Sequence, residues 1–280
     1  MMMHVNEARD SGDAPVDNTA YLYIVDTGYQ PNADSTTVVT QFDVSDPNYL
    51  LIAPESPHDS GWHGTAVATV AATTDNKIGY AGMANLEGQR CQLIVMRISQ
   101  DGESSDTIRI IRALSYIASE SGLHPGAVNL SFGQKPPDTL NNDPAIQLSA
   151  QVLQQGGFQL VLAAGNDGVP DNSPEQYARR VAACDQNGNL ATFSETGPFK
   201  ACAPGVSVPV YTSTNGTTPY LGSGTSFSAP RWSGGIAIIM AATGMTASQA
   251  DAVLLSTGSQ LKSGFVIPNV KAALDKATGH

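Results

Sequence analysis

The chain has 280 residues, 41% of them hydrophobic and 14% charged, which is enough apolar material for a packed core and too much for a disordered chain. Twenty-five acidic against fourteen basic residues leave a formal charge of −11, so the averaged field repels nucleic-acid backbones and anionic membrane surfaces. Three cysteines, Cys91, Cys184 and Cys202, are too few for a disulfide scaffold and lack the paired spacing of a structural zinc site.

Residues 1–20 read as an N-terminal extension and 21–280 as one domain. Met1–Asp13 carries His4, Glu7, Arg9 and Asp10 and no apolar run, unlike a secretory signal. No stretch reaches the roughly 18 apolar residues of a membrane span, so membrane insertion is not expected. Tyr21–Val25 (YLYIV) reads as a buried strand that delivers Asp26 at its carboxyl end. Similar runs recur at Gln92–Met96, Ala127–Leu130, Phe158–Ala163 and Arg180–Ala183. Helical patterns lie between them at Gly64–Ala72, Asp106–Ser119 and Ala145–Gln155. Strands alternating with helices predict an α/β fold, a mainly parallel sheet with helices on both faces, whose functional residues gather beyond the carboxyl ends of the strands. From Asp185 to Gly224 the chain is rich in Gly, Pro, Ser and Thr, which predicts extended segments and turns. A helix over Thr225–Thr243 follows, with Pro230 in its first turn. The three cysteines read as core or strand residues, and the strands assigned around Cys184 and Cys202 would also allow a disulfide between them.

Three segments could carry chemistry. In Gly224-Thr225-Ser226-Phe227-Ser228-Ala229-Pro230, Ser226 stands where a turn becomes a helix, beside unpaired backbone amides that suit an anion. A helix cap is the alternative reading of that serine. His63 heads a run of small residues, His63–Ala72, and an imidazole suits a general base, although a lone histidine is as readily structural. Asp26 could accept the second imidazole N–H or simply form a turn before Gly28; its apolar lead-in demands a specific partner. His58, amid Pro57, Asp59 and Ser60, reads as part of a solvated loop.

Taken together, Asp26 in IVDTG, His63 in HGTAVA and Ser226 in GTSFSAP resemble the subtilisin-like serine proteases, in an order that chymotrypsin and the α/β-hydrolases do not share. Val128–Gly133 is similar to the family strand that pairs with substrate, Leu162–Gly168 to the segment carrying the oxyanion asparagine, and Ala203–Val206 to the approach to the nucleophile. The resemblance spans Tyr21 to Ala242. It implies a three-layer subtilisin-like fold and a serine endopeptidase with Asp26, His63 and Ser226 as triad and Asn166 as oxyanion donor. It further implies that an extended polypeptide pairs with Leu130, Ser131, Phe132 and Gly133 on one side and with Gly102, Glu103 and Ser104 on the other, near Ala164 and Gly165. A propeptide or protein inhibitor is a further implied partner, although residues 1–20 are too few for a propeptide domain, and both a secreted mature fragment and a cytoplasmic protease fit. No cofactor is implied for catalysis. Asp75-Asn76-Lys77-Ile78-Gly79 resembles a calcium loop of some relatives, with Asn76 as ligand, and reads equally as a surface turn. The family's usual histidine and glycine are replaced by Ala66 and Thr69, and Arg231-Trp232 stand where a histidine and a small apolar residue are usual. A noncatalytic peptide-binding pseudoprotease and an esterase using the same residues are the competing readings.

Overall fold

The computed structural model describes residues 3, 19–30, 38–45, 50–52, 59, 62–73, 82–84, 91–99, 105–120, 122–133, 139–211 and 219–279. Its strands are β1 (Ala20–Asp26), β2 (Val38–Asp43), β3 (Leu50–Ile52), β4 (Cys91–Arg97), β5 (Ala127–Leu130), β6 (Gln159–Ala163), β7 (Ala178–Cys184), β8 (Ala201–Pro204), β9 (Val208–Val210), β10 (Tyr220–Gly222), β11 (Ser259–Gln260) and β12 (Val266–Ile267). Ten of them form one sheet in the order β11-β12-β8-β7-β6-β5-β1-β4-β2-β3, and β9 pairs with β10 apart from it. Only the β2–β3 and β11–β12 pairings of that sheet are antiparallel.

Side-chain alternation splits the core in two. Leu22 and Ile24 of β1 and Leu93 and Val95 of β4 enter one cluster, with α1 (His63–Ala72), the helices α4 (Ala229–Thr243), α5 (Ala247–Thr257) and α6 (Val270–Thr278). Tyr23, Val25, Ile94 and Met96 enter the other, with α2 (Thr107–Ser119) and α3 (Pro144–Gln155). A strand covered on both faces must be apolar at every position, which is why these runs do not alternate in sequence. The predicted three-layer α/β arrangement is the one observed. Asp106 and Asp143 cap α2 and α3 by accepting from Arg109 N and Ala145 N. Helix α4 is buried nearly all round, as its Ile236, Ile238 and Ile239 require, and lies at the centre of its layer.

Two expectations need correction, and one possibility is not realised. The stretch after Asp185 contributes β8 to the main sheet, paired with β7 from Val181↔Ala201 to Cys184↔Pro204. Four short residues, Ala-Cys-Ala-Pro, carry no periodic signal, and only the neighbouring strand makes them one. The Thr225–Thr243 helix divides into a 3₁₀ turn, Thr225–Phe227, and α4, because Pro230 has no N–H with which to extend the ladder backwards. Cys184 and Cys202 do lie on adjacent strands, but the register sets Cys202 opposite Ala182, so the two thiols are diagonal and free. No single helix among the described residues is long and apolar enough to cross a membrane.

The order of strands turns back at β1, which lies between β4 and β5. Asp26, Ser131 and Asn166 follow the carboxyl ends of β1, β5 and β6, and the start of α1 brings His63 beside Asp26.

Candidate active site

Asp26 is fully buried at the end of β1 and His63 opens α1 with its side chain 34% exposed. His63 Nδ1 lies 2.8 Å from Asp26 Oδ1, which also accepts from Thr27 N at 2.8 Å. A carboxylate at that distance fixes the tautomer: Nδ1 carries the proton, and Nε2 is left as an acceptor. Burial presses the His63 pKa down, but the charge and hydrogen bond of Asp26 and the charge of Asp59 outweigh it, and the net direction is upward. The imidazole stands between two aromatic rings, with centroids 5.8 Å from Phe132 and 6.4 Å from Phe227. The helix start packs so close that a Cβ on Gly64 would lie 2.2 Å from Gly28 O, which explains the glycine after the histidine.

Ser226 lies half-buried in the 3₁₀ turn that leads into α4. Its hydroxyl donates to Ser131 O at 3.1 Å, and Ser131 Oγ returns a bond to Ser226 O at 3.0 Å. The serine is therefore tied to the end of β5 rather than to His63. The buried Asn129 of β5 supports this tie by donating from Nδ2 to Ser131 Oγ at 2.9 Å.

Asn166 is oriented by Thr225. Its Oδ1 accepts from Thr225 N at 2.9 Å and from Thr225 Oγ1 at 3.0 Å; a backbone N–H can only donate, so Nδ2 is turned the other way. A Cβ on Gly224 would stand 3.6 Å from Asn166 Nδ2 and 3.8 Å from Ser226 N, so two N–H donors border the space that this glycine leaves open.

Leu130 is wholly buried and paired on both sides, with Val25 and Leu162, so the exposed continuation of β5 begins after it. Phe132 is half-buried and Gly133 exposed. These two and Ala164 line a small cleft whose other wall holds Asp171 and Arg180. Arg180 is 1% exposed, bonded through Nη1 to Asp171 Oδ2 at 2.7 Å and through Nη2 to Ser173 O at 2.6 Å, and it lies over the Phe199 ring. Gly165 has φ +121°, and a Cβ there would meet the Glu195 carboxyl at 2.3 Å. Glu195 is buried without a well-formed hydrogen bond at either carboxyl oxygen. Burial first, then the charges of Asp171 and Asp167, push its pKa up to about 7 against the pull of Arg180.

Gly102, Glu103, Ser104 and the calcium candidate Asn76 lie outside the described residues. Among the described residues, no three His, Cys, Asp or Glu side chains gather as a metal cluster. Arg180 and Glu195 carry no local sequence signal, whereas Thr225, beside the serine, and Asp59, four residues before the histidine, sit close enough to a motif to have drawn notice.

A doubly covered parallel sheet with a carboxylate–imidazole pair and a helix-start serine at its carboxyl edge defines an α/β protein of the hydrolase type. The chain belongs to the subtilase family, whose model matches residues 18–279. It is 29% identical to thermitase of Thermoactinomyces vulgaris over 263 residues, covering 91% of this chain and 86% of that protein. A thermostable alkaline protease of Halalkalibacterium halodurans is 30% identical over 228 residues, which is 79% of this chain and 57% of that protein. Subtilisin Savinase of Lederbergia lenta is 32% identical over 173 residues, 58% of this chain and 60% of the relative, so two of the three are matched over less than two thirds of their length. The fold is shared with a protease from Pseudoalteromonas arctica PAMC 21717, at TM-score 0.78 and 22% identity over 98% of this chain and 94% of that one.

Proposed function

We propose that this chain is a serine endopeptidase in which Asp26, His63 and Ser226 act as one proton-transfer unit. The observation that carries the reading is the 2.8 Å contact between a fully buried Asp26 carboxylate and His63 Nδ1, which leaves Nε2 free to act as a base. Rotation of the Ser226 side chain away from Ser131 O brings its hydroxyl to His63; apo sites commonly hold such bonds loosely until substrate enters. His63 then takes the proton as the serine oxygen attacks a peptide carbonyl. The C–N bond breaks as His63 returns the proton to the leaving amine, and water repeats the sequence on the acyl-enzyme. Asn166 Nδ2 and Ser226 N stabilise the oxyanion in the gap beside Gly224.

An extended peptide would lie along Ser131–Gly133, its backbone pairing with that edge. The chemistry calls on no metal, and relatives in the family support a polypeptide substrate through their names as proteases. Labelling of Ser226 by a fluorophosphonate, together with peptide cleavage, tests the assignment. Both should disappear in Ser226→Ala and nearly so in His63→Ala, and the double variant should be no worse than either single one. Peptide binding by a wild-type protein that takes up no label would instead make it a noncatalytic peptide-binding pseudoprotease.

A further inference from the structure

We infer that Asp59 is a positioning residue, a buried carboxylate that locks the end of β1 to the start of α1 and so sets Asp26 against His63. The inference rests on the peptidase reading above for its kinetic consequences. Asp59 is 1% exposed, and its two oxygens accept three hydrogen bonds. Oδ1 takes the Thr27 hydroxyl at 2.7 Å; Oδ2 takes the Thr65 hydroxyl at 2.6 Å and the Thr65 backbone N–H at 2.7 Å.

Those two hydroxyls are the points at which the segments cross. Thr27, immediately after Asp26, accepts from Gly64 N of α1 at 2.8 Å, while Thr65 of α1 accepts from Gln30 N at 3.0 Å. A hydroxyl has one proton to give. Because both protons go to Asp59, both oxygens are turned to receive an N–H from the opposite segment. The clasp is reciprocal, and Asp59 is its common acceptor.

Helix α1 also needs this carboxylate. Its N-cap, Trp62, has φ 59° and makes no side-chain cap, so the N–H of Thr65, three residues on, finds its acceptor in Asp59. A negative charge at that end is favoured by the helix dipole. Thr27 and Thr65 carry the lock directly to the catalytic pair, since Thr27 N donates to Asp26 Oδ1 and Gly64 follows His63.

Among the described residues, the charged groups acting on His63 are Asp26 and Asp59, and the Phe132 and Phe227 rings lie against the imidazole. Burial raises the pKa of Asp59 itself against the hydrogen bonds from Thr65 and Thr27, with a smaller upward push from the charge of Asp26. Removing the Asp59 charge weakens support for the imidazolium, so the His63 pKa should fall and its basic form should persist to lower pH.

Asp59→Asn is the primary test, since the single amide oxygen can keep either the Thr27 hydroxyl or the two Thr65 donors and presents an N–H to the other side. The expected result is a kcat lower by about tenfold to a hundredfold with KM within about twofold, and an acid limb of kcat/KM displaced to lower pH. The His63 ring is followed by NMR titration in wild type and variant, which reads the same displacement whether or not the protein cleaves peptide. Unchanged kcat together with an unmoved His63 titration would overturn the inference. Should Asp59→Asn not fold, Thr27→Val removes only the crossing next to Asp26 and should lower kcat at constant KM, with Thr27→Ser restoring most of the loss; a Thr27→Val protein with wild-type kcat also overturns it. Absence of fluorophosphonate labelling in wild type would defeat the peptidase reading instead, and the NMR titration would still decide the role of Asp59.

Discussion

Thr225 fixes the amide of Asn166, the proposed oxyanion donor. With its N–H and hydroxyl both spent on Asn166 Oδ1, the amide plane is set before any substrate arrives, which is the condition for electrostatic stabilisation without reorganisation. Asn166→Ala should lower kcat by roughly a hundredfold to a thousandfold with little change in KM, the size of effect seen when such a donor is removed in subtilisin. Thr225→Val keeps the backbone donor and loses the hydroxyl, and should have a smaller effect in the same direction. Steady-state kinetics on one peptide decides both; a change confined to KM would make Asn166 a ground-state contact.

Helix α4 starts at the candidate nucleophile, so its anchoring decides where Ser226 stands. Trp232, which replaces a smaller residue usual in the family, is fully buried and donates from Nε1 to Asp251 Oδ1 of α5 at 2.8 Å. Arg179 of β7 meets the same carboxylate through Nε and Nη2, the latter at 2.6 Å. One buried carboxylate thus joins two helices and a strand. Asp251→Ala strands the buried Trp232 N–H and leaves Arg179 with Glu175 alone, and should cost about 3 kcal/mol, whereas Trp232→Phe, which loses one bond and keeps most of the ring, should cost about 1–2 kcal/mol. Urea unfolding measures both, and equal midpoints for Asp251→Ala and wild type would show that the junction contributes nothing. Asn129 has a comparable role on β5: a polar residue inside a central strand is explained by its bond to Ser131, the residue that holds Ser226.

Stability of the entire molecule against pH should carry the mark of Glu195. A carboxyl that ionises near 7 in the folded protein and near about 4.3 when unfolded binds its proton more tightly in the native state. Stability is therefore full below the unfolded value, falls as pH rises between the two, and levels off above the folded one. Asp171 acts in the opposite sense: hydrogen bonds from Ser173 and Thr139 and the charge of Arg180 overcome its burial and lower its pKa, so its contribution is lost only in acid. Glu195→Gln should reduce the drop in Tm between about pH 5 and about pH 8. An identical drop in wild type and variant would place the pH dependence elsewhere.

Much of the architecture was legible because it rests on local pattern. The apolar runs ending at Asp26, Met96, Leu130 and Ala163 needed no partner to be read as strands, and Asp106 and Asp143 mark where their helices begin. The order of Asp26, His63 and Ser226 with their flanking words was enough to indicate the family. Helix α5 has a local start signal too, since Thr246 and Gln249 form a capping box with the required spacing. Strands β8 and β12 were beyond such reading, because four and two residues have no period of their own and become strands only by bonding to neighbours. Asp59, next to the His58 that reads as a solvated loop residue, has no local signal of its role for the same reason: its partners Thr27 and Thr65 meet it only through folding. The amino-acid sequence by itself determined which residues are available for chemistry and which elements carry them. Tertiary structure decided how they are held, with Ser226 bonded to Ser131, Arg180 committed to Asp171 and the Glu195 carboxyl buried against Gly165, because hydrogen-bond acceptance and burial are properties of pairs distant along the chain.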